Sequence, residues 1–450
     1  MASAPILWAP SLAGRNRVKY LALVEAIAEA VAVGDLKPGD RLPTHRDLAW
    51  RLGVNTSTIT QAYREAARRH LISGEVGRGT YVLADSAEAA LFALKTPEQG
   101  AASTVIDLST NVPAIPPEDT ALADTLKDLL ADGEGAALSG YHAPELLTRA
   151  SAAGARWLAG RGLPARASDV IPCAGAQQGL LAVLLALAGP GETVLVEAMT
   201  FPGMKALARQ LRLKLHPLPM DAEGITPEGL EAACRQTSAR VAVLVPVLQN
   251  PTTATMGDAR RAALAEVVRR HGVTVVEDDV YGGLTDTPPL AALLPEHGIV
   301  VTGLAKVAAP GLRFGCIAGP ARLLAPVRAE IHATSWPASP LTLAVACRWI
   351  EDGTAERRQA WQRAEIAERR RLAERILGRR LVASPHQWVT VPGDAAAFSD
   401  RAKAAGVEVV PSGTFAVGRE RPAAVRISLT AARTRRDLAL GLERLAEVLE

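Results

Sequence analysis

The stretch VTGLAKVAAPGLRFG, residues 301–315, decides how the rest of the chain is read. A β-branched run, GIVVTG, ends at Gly303, and Lys306 follows three residues later. Pro310, Gly311 and Arg313 come next, and a second apolar run begins at Phe314. A lysine among small residues just past a buried strand is placed to act as an amine. Desolvation releases its proton, and a neutral amine condenses with an aldehyde to a Schiff base. Arg313 offers the planar fork of donors that suits a phosphate. An aldehyde and a phosphate on one small molecule describe pyridoxal phosphate. Taken alone, Lys306 reads more plainly as a surface lysine in a strand–loop connection, so the neighbouring motifs must decide.

Four pieces bear on that choice. Ala174, Gly175, Ala176 and Gln177 follow an apolar run and open a helix from Gln178 to Ala188, and a small-residue turn there offers free N–H groups to a phosphate. Asp278 ends the strand-like run VTVVED, with Tyr281 three residues on; a carboxylate there can hold a pyridine nitrogen protonated and make the ring an electron sink. Asn250 follows VAVLVPV, and its amide can donate to the ring oxygen. Phe201 lies in the loop after TVLVE and can stack on the ring. Each piece singly has a structural explanation: a turn, a satisfied carboxylate, a turn asparagine, a core aromatic. Their order, each after its own predicted strand, is what favours a cofactor site.

The N-terminal fifth reads differently. Tyr20, Leu23, Val24, Ile27 and Val31 fall at helical spacing within 18–33. Thr44 starts a short second helix, with Asp47 completing a capping box. Gly53 ends it, and Asn55 caps a third helix whose Ile59, Ala62, Tyr63 and Ala66 form one apolar face. That face leaves Thr56, Ser57 and Gln61 outward, with Thr58 in the same first turn. Two short β-runs around Gly77, Arg78 and Gly79 complete a winged helix-turn-helix over residues 13–83. Short hydroxyl and amide side chains at the start of the second motif helix suit base edges in a major groove. Arg46 and Arg64 are placed for phosphate, and Gly77 and Arg78 for a minor groove. A small protein-binding module is the alternative. Residues 1–83 hold eleven Lys/Arg against seven Asp/Glu, while the whole chain is only +3, so the basic excess lies in this part and points to an anionic partner.

The 450 residues are 48% hydrophobic, 22% charged and only 4% aromatic, which predicts large cores of Ala, Leu and Val. The four cysteines are far apart, with no CxxC pair, as expected of reduced thiols. The first fourteen residues show no basic segment ahead of a long apolar core, and the longest apolar run, 180–188, is too short for a bilayer. A cytoplasmic protein without membrane segments or a metal site is the expectation. Residues 84–105 read as a linker. From 106 onward short apolar strands alternate with helices, predicting an α/β domain with a mostly parallel central sheet. Its large part spans about 140–320, and a small C-terminal α+β part about 330–450. HExxH, GxSxG, P-loop and strand-linked GxGxxG motifs are all absent.

Two resemblances sharpen this reading. The run from Leu36 to Val82, with Leu42-Pro43, Arg46, Leu48-Ala49, Thr58, Ala62-Tyr63 and Gly77-Arg78-Gly79, resembles the winged-helix domain of GntR-type repressors, with Thr56 where members usually carry Arg. Residues 106–450 look like a fold-type-I, aspartate-aminotransferase-like domain, and the combination resembles MocR-type regulators. The resemblance implies that Lys306 forms the internal aldimine and Asp278 pairs with the pyridine nitrogen. It assigns the ring oxygen to Tyr281 and Asn250, the ring face to Phe201, and the phosphate to Gly175, Ala176 and Arg313. Tyr141 resembles a tyrosine that reaches the neighbouring subunit's phosphate, implying a homodimer. Arg426 matches the arginine for an amino acid's carboxylate, and Asn111 stands where a substrate-loop glycine is common. The implied function is a regulator that binds a double-stranded DNA operator and senses an amino acid, an amine or pyridoxal phosphate itself. The alternative is an active aminotransferase working on an amino acid and a 2-oxo acid.

Overall fold

The computed structural model describes residues 8–11, 18–33, 35–36, 40–68, 71–75, 79–82, 105–141, 144–336, 338–418 and 420–450. The expected linker therefore lies almost wholly outside the described residues, as do Gly77 and Arg78. The chain divides into two compact units, Met1–Ala101 and Ala102–Glu450.

The first unit holds α1 (Lys19–Val33), α2 (His45–Leu52), α3 (Thr56–Arg68) and the antiparallel pair β1 (Ile72–Glu75) and β2 (Gly79–Val82). Local chemistry sets the helix limits. The Thr44 hydroxyl accepts from the Asp47 amide at 3.2 Å, and Gly53 closes α2 in the left-handed region at φ 62°. Leu23 and Ile27 of α1 meet Leu48 of α2 and Ile59, Ala62 and Tyr63 of α3 in one core. The Tyr63 hydroxyl donates to the Pro43 carbonyl at 2.9 Å, tying α3 to the turn before α2.

The second unit is built on a seven-stranded sheet. In chain order its strands are β4 (Val170–Cys173), β5 (Thr193–Glu197), β6 (Lys214–Leu218), β7 (Val241–Leu244), β8 (Thr274–Asp278), β9 (Gly298–Gly303) and β10 (Gly315–Ala318); a short β3 (Ile106–Asp107) precedes them. Their spatial order is β4-β10-β9-β8-β7-β5-β6, and β10 alone runs antiparallel to its neighbours. The central strands are mostly apolar because both faces are covered, while the edge strand β6 carries Lys214 and His216. Val194, Val196, Val243, Val276 and Val301 pack with Leu180, Leu184 and Val327 on one side. Leu195, Ala242, Leu244 and Val275 pack with Leu230, Leu264 and Val268 on the other. Each such Val or Leu side chain contributes roughly 1.5–3 kcal/mol on burial.

The small C-terminal part has a three-stranded antiparallel sheet, order β11 (His386–Thr390), β14 (Ala424–Ser428), β13 (Val410–Pro411). β12 (Val407–Glu408) pairs in parallel with β3, so the start of this unit docks on its C-terminal part. Ile106 and Leu108 accordingly pack with Phe398, Ile427 and Leu442. The helix Pro340–Glu351 buries Leu343 and Trp349 against Leu304, Val307 and Phe314 of the large part.

Candidate functional site

The antiparallel β10 explains why distant motifs meet. It begins where its neighbours end: Gly315 pairs with Gly303 of β9 and with Cys173 of β4. Arg313, just before β10, thus lies at the edge where β4, β5, β7, β8 and β9 deliver Gly175, Phe201, Asn250, Asp278 and Lys306. Crevices beyond the carboxyl ends of parallel strands are where open α/β sheets bind ligands.

At the phosphate end, Gly175 stands at φ 85° ahead of the helix Ala176–Leu187, which starts two residues earlier than the sequence suggests. A Cβ on Gly175 would lie 2.9 Å from Arg313 Nη2, so the guanidinium lies directly against the turn. The exposed cation and the helix N-terminus together present positive charge to an anion. Phe201 is half-buried at the start of the helix Pro202–Leu211.

Deeper in, six predicted residues come together. Lys306, partly buried, donates from Nζ to the Asn111 carbonyl, and Nζ lies 5.8 Å from the Tyr281 ring centroid. Burial, helped by Arg426, lowers its pKa to about 8, which makes a neutral amine accessible near neutral pH. Asp278 is buried, accepts from the Val280 amide at 3.3 Å, and is pushed up to about 7 by burial. Asn111 Nδ2 lies 2.7 Å from the Tyr281 hydroxyl. Arg426, only 4% exposed, donates from Nη1 to Asn250 Oδ1 at 2.9 Å and from Nη2 to the Ser109 carbonyl. Its Nε is buried without a hydrogen-bond partner, and burial lowers its pKa to about 10.

Tyr141 stands apart from this cluster. It is 82% exposed and packs on Trp336 at 5.1 Å between ring centroids. In the first unit, Arg46, Asn55, Thr56, Ser57, Gln61 and Arg64 are exposed and Thr58 is half-buried.

Sequence reasoning missed several residues. His386 opens β11, is fully buried and sits between the Gln249 carbonyl and Asn111. Gln249 braces the loop after β7 through the Met199 carbonyl and the Thr252 amide and hydroxyl. Glu197 ends β5 as Asp278 ends β8; burial raises it to about 8, and its Oε2 has no hydrogen-bond partner. The signal that singled out Asp278, an acid closing an apolar strand, was equally present there. Asp279 pairs with Arg161 at 3.1 Å in a buried bridge beside the site. Among the described residues, no group of three or more His, Cys, Asp or Glu is placed to hold a metal, and no helix is long and apolar enough to cross a membrane.

The donor set fits pyridoxal phosphate. A lysine that gives up its proton near pH 8 is available to an aldehyde, and a buried carboxyl suits a protonated pyridine nitrogen. An arginine on a glycine turn and a buried arginine with an open Nε complete a site richer in cations than in anions. Fold and site define a fold-type-I pyridoxal-phosphate-binding domain joined to a GntR-type helix-turn-helix. Residues 103–445 match aminotransferase class I and II, and residues 19–82 match the gntR family of bacterial regulatory proteins. The chain belongs to the aminotransferase class I and II family and carries a gntR-family DNA-binding domain at its N-terminal end.

It is 29% identical to the HTH-type transcriptional regulator YdeF of Bacillus subtilis (strain 168) over 458 residues, covering 99% of this chain and 97% of that one. It is 28% identical over 361 residues to the vitamin B6 salvage pathway transcriptional repressor PtsJ of Salmonella typhimurium (strain LT2), covering 79% and 80%. Among solved structures it resembles the kynurenine aminotransferase of Pyrococcus horikoshii, with TM-score 0.70 and 25% identity, covering 77% of this chain and 91% of that one.

Proposed function

We propose that this chain is a cytoplasmic, pyridoxal-phosphate-dependent transcriptional regulator that acts as a homodimer. Residues 13–83 bind an operator, 84–105 link, and 106–450 sense an amino acid, an amine or the cofactor itself. The observation that carries this reading is α3. Its apolar face is used up in the core, while Asn55, Thr56, Ser57, Gln61 and Arg64 stay exposed. An aminotransferase needs no such surface. The vitamin B6 theme in the name of the relative PtsJ agrees with a cofactor-linked regulator.

Bound at this site, pyridoxal phosphate supplies a carbonyl for an amine and an electron-withdrawing ring. The protein's own groups do the rest. Lys306 holds the cofactor through a neutral amine, and Asp278 holds a proton on the pyridine nitrogen. Tyr281 and Asn250 bind the ring oxygen, and Phe201 covers the ring. Gly175, Ala176 and Arg313 bind the phosphate, and Tyr141 serves the partner subunit's site. Arg426 takes the effector's carboxylate, with Asn111 lining the same end.

Ser109 and Asn111 give the signal a route. Their carbonyls occupy Arg426 and Lys306, and they lie on the segment that follows the linker. A carboxylate arriving at Arg426 competes with the Ser109 carbonyl and so changes the hold on the segment joined to the DNA-binding unit. An effector acts only through such a difference in affinity between two states. Fluorescence anisotropy of the cofactor-loaded protein on DNA upstream of its own gene, with a panel of amino acids and amines, tests this. A compound that changes DNA affinity without being consumed is expected. Steady turnover with a 2-oxo acid and no DNA binding would establish the aminotransferase instead.

A further inference from the structure

We propose that His386 is a positioning residue: it fixes the orientation of the Asn111 amide, which in turn keeps the Tyr281 hydroxyl proton free for the cofactor. The inference rests on the pyridoxal-phosphate reading above and concerns a residue that reading leaves unused.

The argument runs along one chain of hydrogen bonds. His386 Nε2 lies 3.0 Å from the Gln249 carbonyl, which can only accept, so Nε2 carries the proton. The ring is neutral, because burial and the nearby Arg426 and Lys306 lower its pKa to about 3. Nδ1 is therefore a bare acceptor. Asn111 Nδ2 lies 3.1 Å from it and 2.7 Å from the Tyr281 hydroxyl. An amide nitrogen has two hydrogens and gives one to each. The flipped amide would set Oδ1 against Nδ1, two acceptors face to face, so the histidine forbids it. The Tyr281 oxygen accepts from Asn111, and its own proton remains to be donated.

The groups around His386 come from five parts of the fold. Asn111 lies on the segment after β3, Gln249 on the loop after β7, the Tyr281 ring 5.3 Å away, and the charges of Lys306 and of Arg426 on β14 nearby. The imidazole is thus held on both nitrogens, as a part that orients others must be. Without it, Asn111 can turn its oxygen to Tyr281 and draw off the phenolic proton. The cofactor's ring oxygen would then lose a donor, and its anion would be less stable.

The test is the pH titration of the visible absorption of pyridoxal phosphate bound to the full chain. His386→Phe is expected to raise the midpoint by about one pH unit, the size of one hydrogen bond to a charged oxygen. In an Asn111→Gly background no amide remains to flip, so His386→Phe should add no shift there. A role in packing alone would lower thermal stability and leave the midpoint in place, which would overturn the proposal. An equal rise with and without Asn111 would overturn it too. Should His386→Phe fail to fold, His386→Leu also removes the Nδ1 acceptor without adding charge. Its midpoint should rise, and that rise should vanish in a Tyr281→Phe background; a rise that persists counts against the proposal. A titrating band unchanged by Lys306→Ala would instead sink the cofactor reading, whatever His386 does.

Discussion

Lys306 carries the clearest pH dependence. Its pKa falls from 10.5 in an open chain to about 8 in the fold, through burial first and Arg426 second. Between those values the folded chain binds fewer protons than the unfolded one, so its contribution to stability rises with pH across that window. Cofactor capture should follow the same group. The rate of visible band formation on mixing apoprotein with pyridoxal phosphate is expected to climb to about pH 8 and level off. A rate still climbing at pH 10 would mean that Lys306 behaves as an exposed lysine. Arg426 is the second test at this scale. Arg426→Ala removes a charge-assisted contact of about 1.5–3 kcal/mol, so amino acids should bind about ten- to a hundredfold more weakly while amines lacking a carboxylate change little. Spectral titration with matched pairs of ligands reads the difference, and equal weakening of both would take the carboxylate away from Arg426.

At the scale of elements, the turn before the helix Ala176–Leu187 depends on glycine twice over. Gly175 adopts φ 85° with ψ 164°, a region essentially confined to glycine that costs an L-residue roughly 1–3 kcal/mol, and a Cβ there would press on Arg313 at 2.9 Å. Gly175→Ala is expected to weaken pyridoxal phosphate at least tenfold by equilibrium dialysis, with free phosphate losing its ability to compete. Gly303 is equally constrained: its Cβ would lie against the Phe314 carbonyl oxygen, so the close β9–β10 pairing leaves no room for any side chain there. In the first unit, Arg46 is exposed on α2. Arg46→Ala should lower DNA affinity for every sequence alike and reduce the slope of affinity against salt by about one. Unchanged affinity would move the DNA surface elsewhere.

At the scale of the whole molecule, the segment after the linker is tied to the C-terminal part by backbone bonds, beginning with the Ile106 amide, which donates to the Gly406 carbonyl at 2.9 Å. The Leu108 amide donates to the Glu408 carbonyl at 2.9 Å, and the Ser428 amide to the Leu108 carbonyl at 2.7 Å. If an effector carboxylate displaces the Ser109 carbonyl from Arg426, these bonds lie next in line. Hydrogen exchange at Leu108 and Ser428 is expected to quicken on addition of an amino acid effector and not of a plain amine. Exchange that does not respond, in protein whose DNA affinity does, would send the signal by another path.

Local patterns were legible in the sequence because their causes are local. The Thr44 cap, the Gly53 stop, the amphipathic α3 and the mostly apolar central strands each follow from residues within a few positions of one another. Strand-ending Asp278, strand-following Lys306 and turn-forming Gly175 were readable for the same reason. What the chain alone did not reveal are relations made by closure of the sheet and docking of the C-terminal part. Reversal of β10 brings Arg313 to Gly175. The pairing of β3 with β12 draws residues 109–111 across Lys306 and Arg426. The partner of His386 is 275 positions away at Asn111. A histidine opening a short strand carries no mark of its role until tertiary structure buries it, fixes its tautomer and gives each nitrogen a different neighbour.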